Sequence, residues 1–360
     1  MRHKLLFQLI VTTALAKSSS KKRPKQGEIK HPTKRKSAYV VTPNTTRVVV
    51  LKMPHSGSTW FAALLNRFPR TFVREESITK TRSNNVNPEA IRRHVGTSLA
   101  RPTDKMVASR NGKHAYSPRA KHFDCGGCEL AVLGLTMCPM KSEAPYDFPA
   151  GVTAAVFRQT IPFKTIFWAR TNVVKMVFAS NGSKDRKGKF VRSRPPCDEF
   201  ARTLGYKAAQ LRSLDALYDE RRRVDASRVL KVRYEALQAN EKGTLGRVAR
   251  FLGVEERQLL KAATFVGEKR TSEDLRDVVA NYNELHTWLA PGGVLASPCL
   301  LRMLEAPAPA VFALCPLPAL VERTLNNSRA ARTCPGPPPT RGRRIRGVDV
   351  GATPPGHRII

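Results

Sequence analysis

From about residue 46 onward, short apolar runs alternate with stretches of helical periodicity. Arg47-Val48-Val49-Val50-Leu51-Lys52 is β-branched, too brief for a helix and closed by a turn signal, which predicts a buried strand. Past the turn, Trp60, Phe61, Leu64 and Leu65 recur at helical spacing, so the order is strand, loop, helix. Thr165-Ile166-Phe167-Trp168-Ala169 predicts a second strand, with a helix from Val173 to Ala179 behind it. Arg228-Val229-Leu230-Lys231-Val232 predicts a third, after a helical stretch from Tyr206 to Tyr218. Leu245, Val248 and Leu252 face one way on a further helix. Leu275, Val278, Val279 and Tyr282 do the same on another, for which Thr271-Ser272-Glu273-Asp274 is the start signal. This alternation implies a three-layer α/β/α fold, with a mostly parallel sheet covered on both faces.

The flanks have a different texture. Residues 17–39 are rich in Lys, Ser and Pro and read as a basic disordered linker, so the folded domain is expected over 40–290. Within it, residues 81–150 show little periodicity and read as a cysteine-containing insertion that shapes an acceptor cleft. Residues 291–360 hold 12 of the 26 prolines and read as a Pro/Arg-rich disordered tail. At the start, Arg2, His3 and Lys4 precede an apolar run from Leu5 to Ala16 that ends Ala14-Leu15-Ala16. A positive end, a short apolar middle and a small-residue exit describe a secretory signal peptide over 1–16; a short anchor and a transit peptide are the alternatives. The run is shorter than the roughly 17–25 residues that a membrane-spanning helix needs. Asn44, Asn181 and Asn326 lie in N-x-[ST] triplets, in keeping with a lumenal route to the Golgi or to secretion.

Charge narrows the choice of partner. The formal net charge is +35, and residues 40–290 still carry 43 Lys/Arg against 24 acids. Such a surface suits a nucleotide, a polyanionic glycan, a nucleic acid or an anionic membrane, the last through weak surface association of the basic segments. The basic runs lack interleaved aromatics and any nucleic-acid-binding motif, which argues against nucleic acid. Seven cysteines are consistent with an oxidising compartment. Cys125-x-x-Cys128 reads as a local disulfide; a zinc reading, with His122 or His114 as a further ligand, lacks the second C-x-x-C. No metal site is expected.

The segment Lys52-Met53-Pro54-His55-Ser56-Gly57-Ser58-Thr59-Trp60 carries the chemistry. Small residues between a strand and a helix let backbone N–H groups turn towards an anion, and the helix adds its positive end. Ser56, Ser58 and Thr59 add hydroxyls. The NTPase pattern G-x-x-x-x-G-K-[ST] is not met, since its first Gly and its Lys are missing.

The segment instead resembles the 5′-phosphosulfate loop of PAPS-dependent sulfotransferases, P-K-S-G-T-T-W. Pro54, Ser56, Gly57, Thr59 and Trp60 match, Ser58 is conservative, and His55 stands where the family has a basic Lys or Arg. By the resemblance His55 stabilises the leaving phosphate, with Lys52 as a nearby substitute, and anionic phosphates favour a charged histidine. Arg74-Glu75-Glu76-Ser77 is similar to the E-E-T of tyrosylprotein sulfotransferases, which makes Glu76 the base for the acceptor hydroxyl. Trp168-Ala169-Arg170-Thr171-Asn172 resembles the family's 3′-phosphate segment; Arg170 would grip that phosphate with its planar fork. The family's Ser eight residues on is Phe178 here, and Ser180 is the substitute. Arg233-Tyr234-Glu235-Ala236-Leu237 and Phe251-Leu252-Gly253 resemble R-Y-E-D-L … F-L-G, placing Tyr234 near the adenine, as Trp60 would be. Lys269 and Arg270 stand where a late basic loop closes over the 3′-phosphate.

The resemblance implies sulfo transfer from PAPS, as co-substrate, to an acceptor hydroxyl. An acidic glycan is the first acceptor and a protein tyrosine the second. The competing reading is a non-catalytic polyanion- or nucleotide-binding protein that keeps the fold.

Overall fold

A computed structural model of the chain describes residues 40–74, 88–101, 129–138, 150–181, 193–255, 274–306, 315–319 and 321–322, all within the unit Ser37–Ile360. Residues 1–39, where a signal peptide and a basic linker are expected, Glu76, Cys125, Cys128, Lys269, Arg270 and residues 323–360 lie outside the described residues.

The fold is α/β with a central parallel sheet. Among the described residues five strands form it: β1 (Thr46–Lys52), β2 (Thr71–Arg74), β3 (Val132–Met137), β4 (Lys164–Ala169) and β5 (Val229–Arg233), in spatial order β2-β3-β1-β4-β5. Every neighbouring pair is parallel, so all five carboxyl ends lie along one edge. The helices are α1 (Ser58–Leu65), α2 (Pro88–Ala100), α3 (Ala150–Phe157), α4 (Val173–Asn181), α5 (Cys197–Val224), α6 (Tyr234–Ala239), α7 (Glu241–Leu252), α8 (Leu275–Val278), α9 (Tyr282–Leu289) and α10 (Pro298–Glu305).

The alternation of side chains along β1 divides the core. Val48 and Val50 belong to a cluster with Phe61 and Leu65 of α1, Leu237 of α6 and Val248 of α7. Val49 and Leu51 belong to a second, with Val95 of α2, Val177 of α4, Leu204 of α5 and Leu285 of α9. Being buried on both faces is why β1 reads as an unbroken apolar run.

Three expectations are corrected. Residues 81–150 are not simply an insertion: they supply α2 and also β3, which sits between β2 and β1. The run Val132-Leu133-Gly134-Leu135-Thr136-Met137 is fully buried, but Gly134 disguises it. A Cβ there would come within 2.4 Å of Val48 Cγ1 and 2.6 Å of the Val48 carbonyl oxygen, so only glycine lets β3 lie this close to β1.

The helix expected through Leu275 to Tyr282 is two helices, α8 and α9. Between them Val279 is extended, at φ −111° and ψ 121°. Ser193 bonds across this gap, donating to the Val278 carbonyl (3.0 Å) and accepting from the Ala280 amide (2.9 Å). The backbone partners of a continuous helix are thereby diverted. Asp274 from the start signal does cap α8, accepting from Arg276 N at 2.9 Å.

The ordered fold also continues past residue 290. α10 starts with Pro298 in its first turn, behind Ser297, whose hydroxyl caps it. Leu300, Met303, Leu304, Cys315, Leu317 and Val321 are all buried in the core. A disulfide joins Cys299 to Cys315. Proline content misled here because one of the prolines starts a helix.

Candidate nucleotide site

The loop between β1 and α1 lies on the carboxyl edge of the sheet. His55 (φ 61°) and Gly57 (φ 78°) both take the left-handed conformation, on either side of the buried Ser56. For a histidine this is an uncommon backbone state, held here by its surroundings. Ser56 Oγ donates to the Met53 carbonyl at 2.7 Å, and the Ser56 carbonyl accepts from the Trp168 indole N–H at 2.9 Å. Gly57 is the N-cap of α1 and offers no side-chain cap. The amides of a helix's first turn have no partner within the helix and face an anion favourably.

Two of the three loop hydroxyls have structural partners. Ser56 closes the loop as described, whereas Ser58 Oγ accepts from Lys52 Nζ at 2.8 Å. Lys52, the last residue of β1, is only 2% exposed, so its ammonium is brought to the foot of the loop. Thr59 and His55 are exposed, and Pro54 and Trp60 are partly so.

Arg170 follows β4 directly, with 8% exposure, and its guanidinium carbon stands 4.5 Å from the centre of the Tyr234 ring. Tyr234 follows β5 in the same way and opens α6. Its ring meets Trp60 edge-to-face at 5.6 Å and Trp168 at 6.1 Å, while Gln238 Nε2 donates to its hydroxyl at 2.9 Å. The backbone around Gly57 lies against the same ring. Tyr234 therefore touches both the loop and the strand-end arginine.

The next residue, Glu235, is buried, and sequence reasoning assigned it no role. Its carboxylate accepts from the amide of Thr171 (2.9 and 3.0 Å) and from the amide of Asn172 (2.8 Å). Asn172 in turn caps α4, accepting from the Lys175 amide at 2.9 Å, and donates from Nδ2 to the Met303 carbonyl of α10 at 2.8 Å. The sequence signals for this carboxylate were its match to the E of R-Y-E-D-L and its position in the first turn of a helix directly after a strand.

Other expected members are not gathered here. Phe178, in the position where the resemblance expects a serine, is buried in the core with its ring 5.9 Å from Phe200. Ser180 lies one residue before the end of α4, with its side chain outside the described residues. β2 ends at Arg74 on the carboxyl edge, two residues ahead of Glu76. Just beyond the end of β3, Cys138 neighbours Lys207 of α5, whose ammonium burial pushes down to about 8, an effect the thiol partly opposes.

The residues fit an anionic nucleotide. Lys52, His55, Arg170 and an α-helix N-terminus share one edge, and the carboxylate among them, Glu235, is committed to backbone amides.

One family model and several solved structures match parts of the chain. Residues 185–258 match the model described as "Sulfotransferase family". No curated protein matches the chain. Among solved structures, the chain is similar to the sulfotransferase domain of the Synechococcus PCC 7002 olefin synthase, at 19% identity, 81% of this chain, 96% of that one and a TM-score of 0.37. It is similar to mouse sulfotransferase SULT7A1 complexed with PAP, at 15% identity, 61% of this chain, 62% of that one and a TM-score of 0.31. It is also similar to a sulfotransferase from Alicyclobacillus acidocaldarius, at 14% identity, 73% and 96% coverage and a TM-score of 0.34. The family match spans residues 185–258, which include Tyr234 and Glu235, and the loop at 54–60 and the strand end at 168–172 that resemble sulfotransferase motifs precede it in order.

Proposed function

We propose that the chain transfers the sulfo group of PAPS to a hydroxyl of an acidic glycan in the lumen of the secretory pathway. The observation that carries this reading is the shared edge: the left-handed loop at 55–57 runs into α1 beside Lys52, and Arg170 stands on Tyr234 at the neighbouring strand ends.

In this reading the amides from Pro54 to Trp60 and the start of α1 hold the 5′-phosphosulfate, and Arg170 holds the 3′-phosphate. Ser180 is the proposed second contact on that phosphate, and Trp60 and Tyr234 flank the base. Glu76 takes the proton from the acceptor hydroxyl as its oxygen bonds to sulfur. The bond from sulfur to the phosphate oxygen breaks, and His55 and Lys52 offset the charge left on that oxygen. Positioning and charge stabilisation supply most of the rate, as in phosphoryl transfer. The net positive charge favours an acceptor that is already anionic, a glycan before a tyrosine-bearing peptide.

The test is incubation of the secreted protein with labelled PAPS and a panel of sulfated and unsulfated glycans. Label on a glycan that disappears in Glu76→Gln supports the proposal. A second reading rests on His55 replacing the family's basic residue and on the buried Phe178. It makes the chain a binding protein, and nucleotide binding without transfer to any acceptor would favour it.

A further inference from the structure

Two consecutive residues at the start of α6 hold the turn between β4 and α4. Tyr234 supplies a ring beneath the Arg170 guanidinium, and Glu235 takes the amides of Thr171 and Asn172. The Glu235 carboxylate is 2% exposed and accepts three N–H contacts between 2.8 and 3.0 Å. Hydrogen bonds from amides to a buried carboxylate are of the stronger, charge-assisted kind. The amides just ahead of α4 are therefore engaged by the protein's own anion. A phosphate arriving at this strand end meets the Arg170 side chain, on a backbone that Glu235 fixes.

We propose that Glu235 is a positioning residue for recognition of the nucleotide's 3′-phosphate, acting through Arg170. The proposal rests on the nucleotide-binding reading given above. Without the carboxylate, the amides of Thr171 and Asn172 lose their acceptor and the turn is released. Arg170 then samples other directions, while the 5′-phosphate loop keeps its own contacts: Ser56 to Met53 and Trp168 to Ser56. The predicted defect is thus confined to one end of the nucleotide.

The experiment compares the affinities of the full chain for adenosine 3′,5′-bisphosphate and adenosine 5′-phosphate by calorimetry. The wild type is expected to prefer the bisphosphate. In Glu235→Ala this preference falls roughly tenfold or more, and 5′-phosphate affinity stays within about twofold. Arg170→Ala loses the preference too, and the double variant loses no more than Arg170→Ala alone, as expected of residues acting in series. Glu235→Gln keeps one oxygen acceptor and falls between. Full preference in Glu235→Ala, or equal weakening of both nucleotides, overturns the proposal. If Glu235→Ala does not fold, an unchanged preference in soluble Glu235→Gln overturns it instead. A wild type without preference overturns the nucleotide reading as well; a wild type with preference but indifferent to Glu235 leaves that reading standing.

Discussion

Tyr234 stands so close to Gly57 that a Cβ at residue 57 would lie 2.7 Å from Cε2 of the ring and 2.9 Å from Cδ2. Gly57 also holds φ at 78°, where a side chain is strained whatever the space around it. Gly57→Ala is therefore expected to lose about 1–3 kcal/mol of stability, or to push Tyr234 away and weaken nucleotide binding. Thermal melts with and without adenosine 3′,5′-bisphosphate separate the two effects.

Arg170→Ala removes the guanidinium over Tyr234 and the proposed 3′-phosphate contact. Stabilisation by saturating bisphosphate should shrink, since a ligand raises the melting temperature only through its affinity for the folded state. A melting shift equal to that of the wild type would remove Arg170 from the site.

Lys52→Met leaves the buried stem in place and deletes the cation bonded to Ser58. If this ammonium offsets leaving-group charge, kcat should fall by roughly 10²–10³, the effect of losing one oxyanion donor. Stability should change little. The informative partner is His55→Lys, which restores the residue found in the related loop and should partly rescue the Lys52→Met rate. An unchanged kcat in Lys52→Met would mean that Lys52 serves only to brace α1.

Lys207 makes a stability prediction with a definite sign. Burial lowers its folded-state value to about 8 from 10.5. Between these two values the unfolded chain holds the extra proton, so this contribution to stability rises with pH and the cost of burying the ammonium is felt in full below about 8. Lys207→Met should therefore stabilise the protein at pH 7, by up to about 3 kcal/mol, less the cation–π contact with Tyr206. Its advantage should fade towards pH 10. Chemical denaturation at pH 7 and pH 10 checks this; an equal difference at both would refute it.

Replacing Cys299 and Cys315 by serine opens a loop with a sequence separation of 16. Loop-closure entropy for that length suggests a loss of about 3 kcal/mol. Chemical denaturation of the double variant beside the oxidised wild type reads this loss, and equal midpoints would refute it.

Much of this architecture was legible in sequence, for reasons that individual residues make plain. β1 and β4 announced themselves because each is covered on both sides and carries a nearly unbroken run of β-branched or aromatic residues, and β5, at the edge, because it runs into the Arg233-Tyr234 motif. β2 did not, being four residues long with alternating burial, and β3 was hidden by Gly134, whose reason is the closeness of Val48. The loop was readable because glycine and small hydroxyl residues after a strand have few other uses. Glu235 was not, because its partners lie 63 and 64 residues away in the chain, and only the sheet brings them together. Phe178 shows the converse: its rotation on α4 places it in the core, which spacing from Arg170 alone could not tell.

The bond from Asn172 to the Met303 carbonyl bears on how the molecule is made. The turn between β4 and α4 is braced by a helix translated some 130 residues after it. A nascent chain emerging from the ribosome can assemble the sheet through β5 while this brace is still missing. On the proposed function, competence to hold the donor arrives late in synthesis, and a shortened product ending at residue 290 would keep all five strands yet lack this brace.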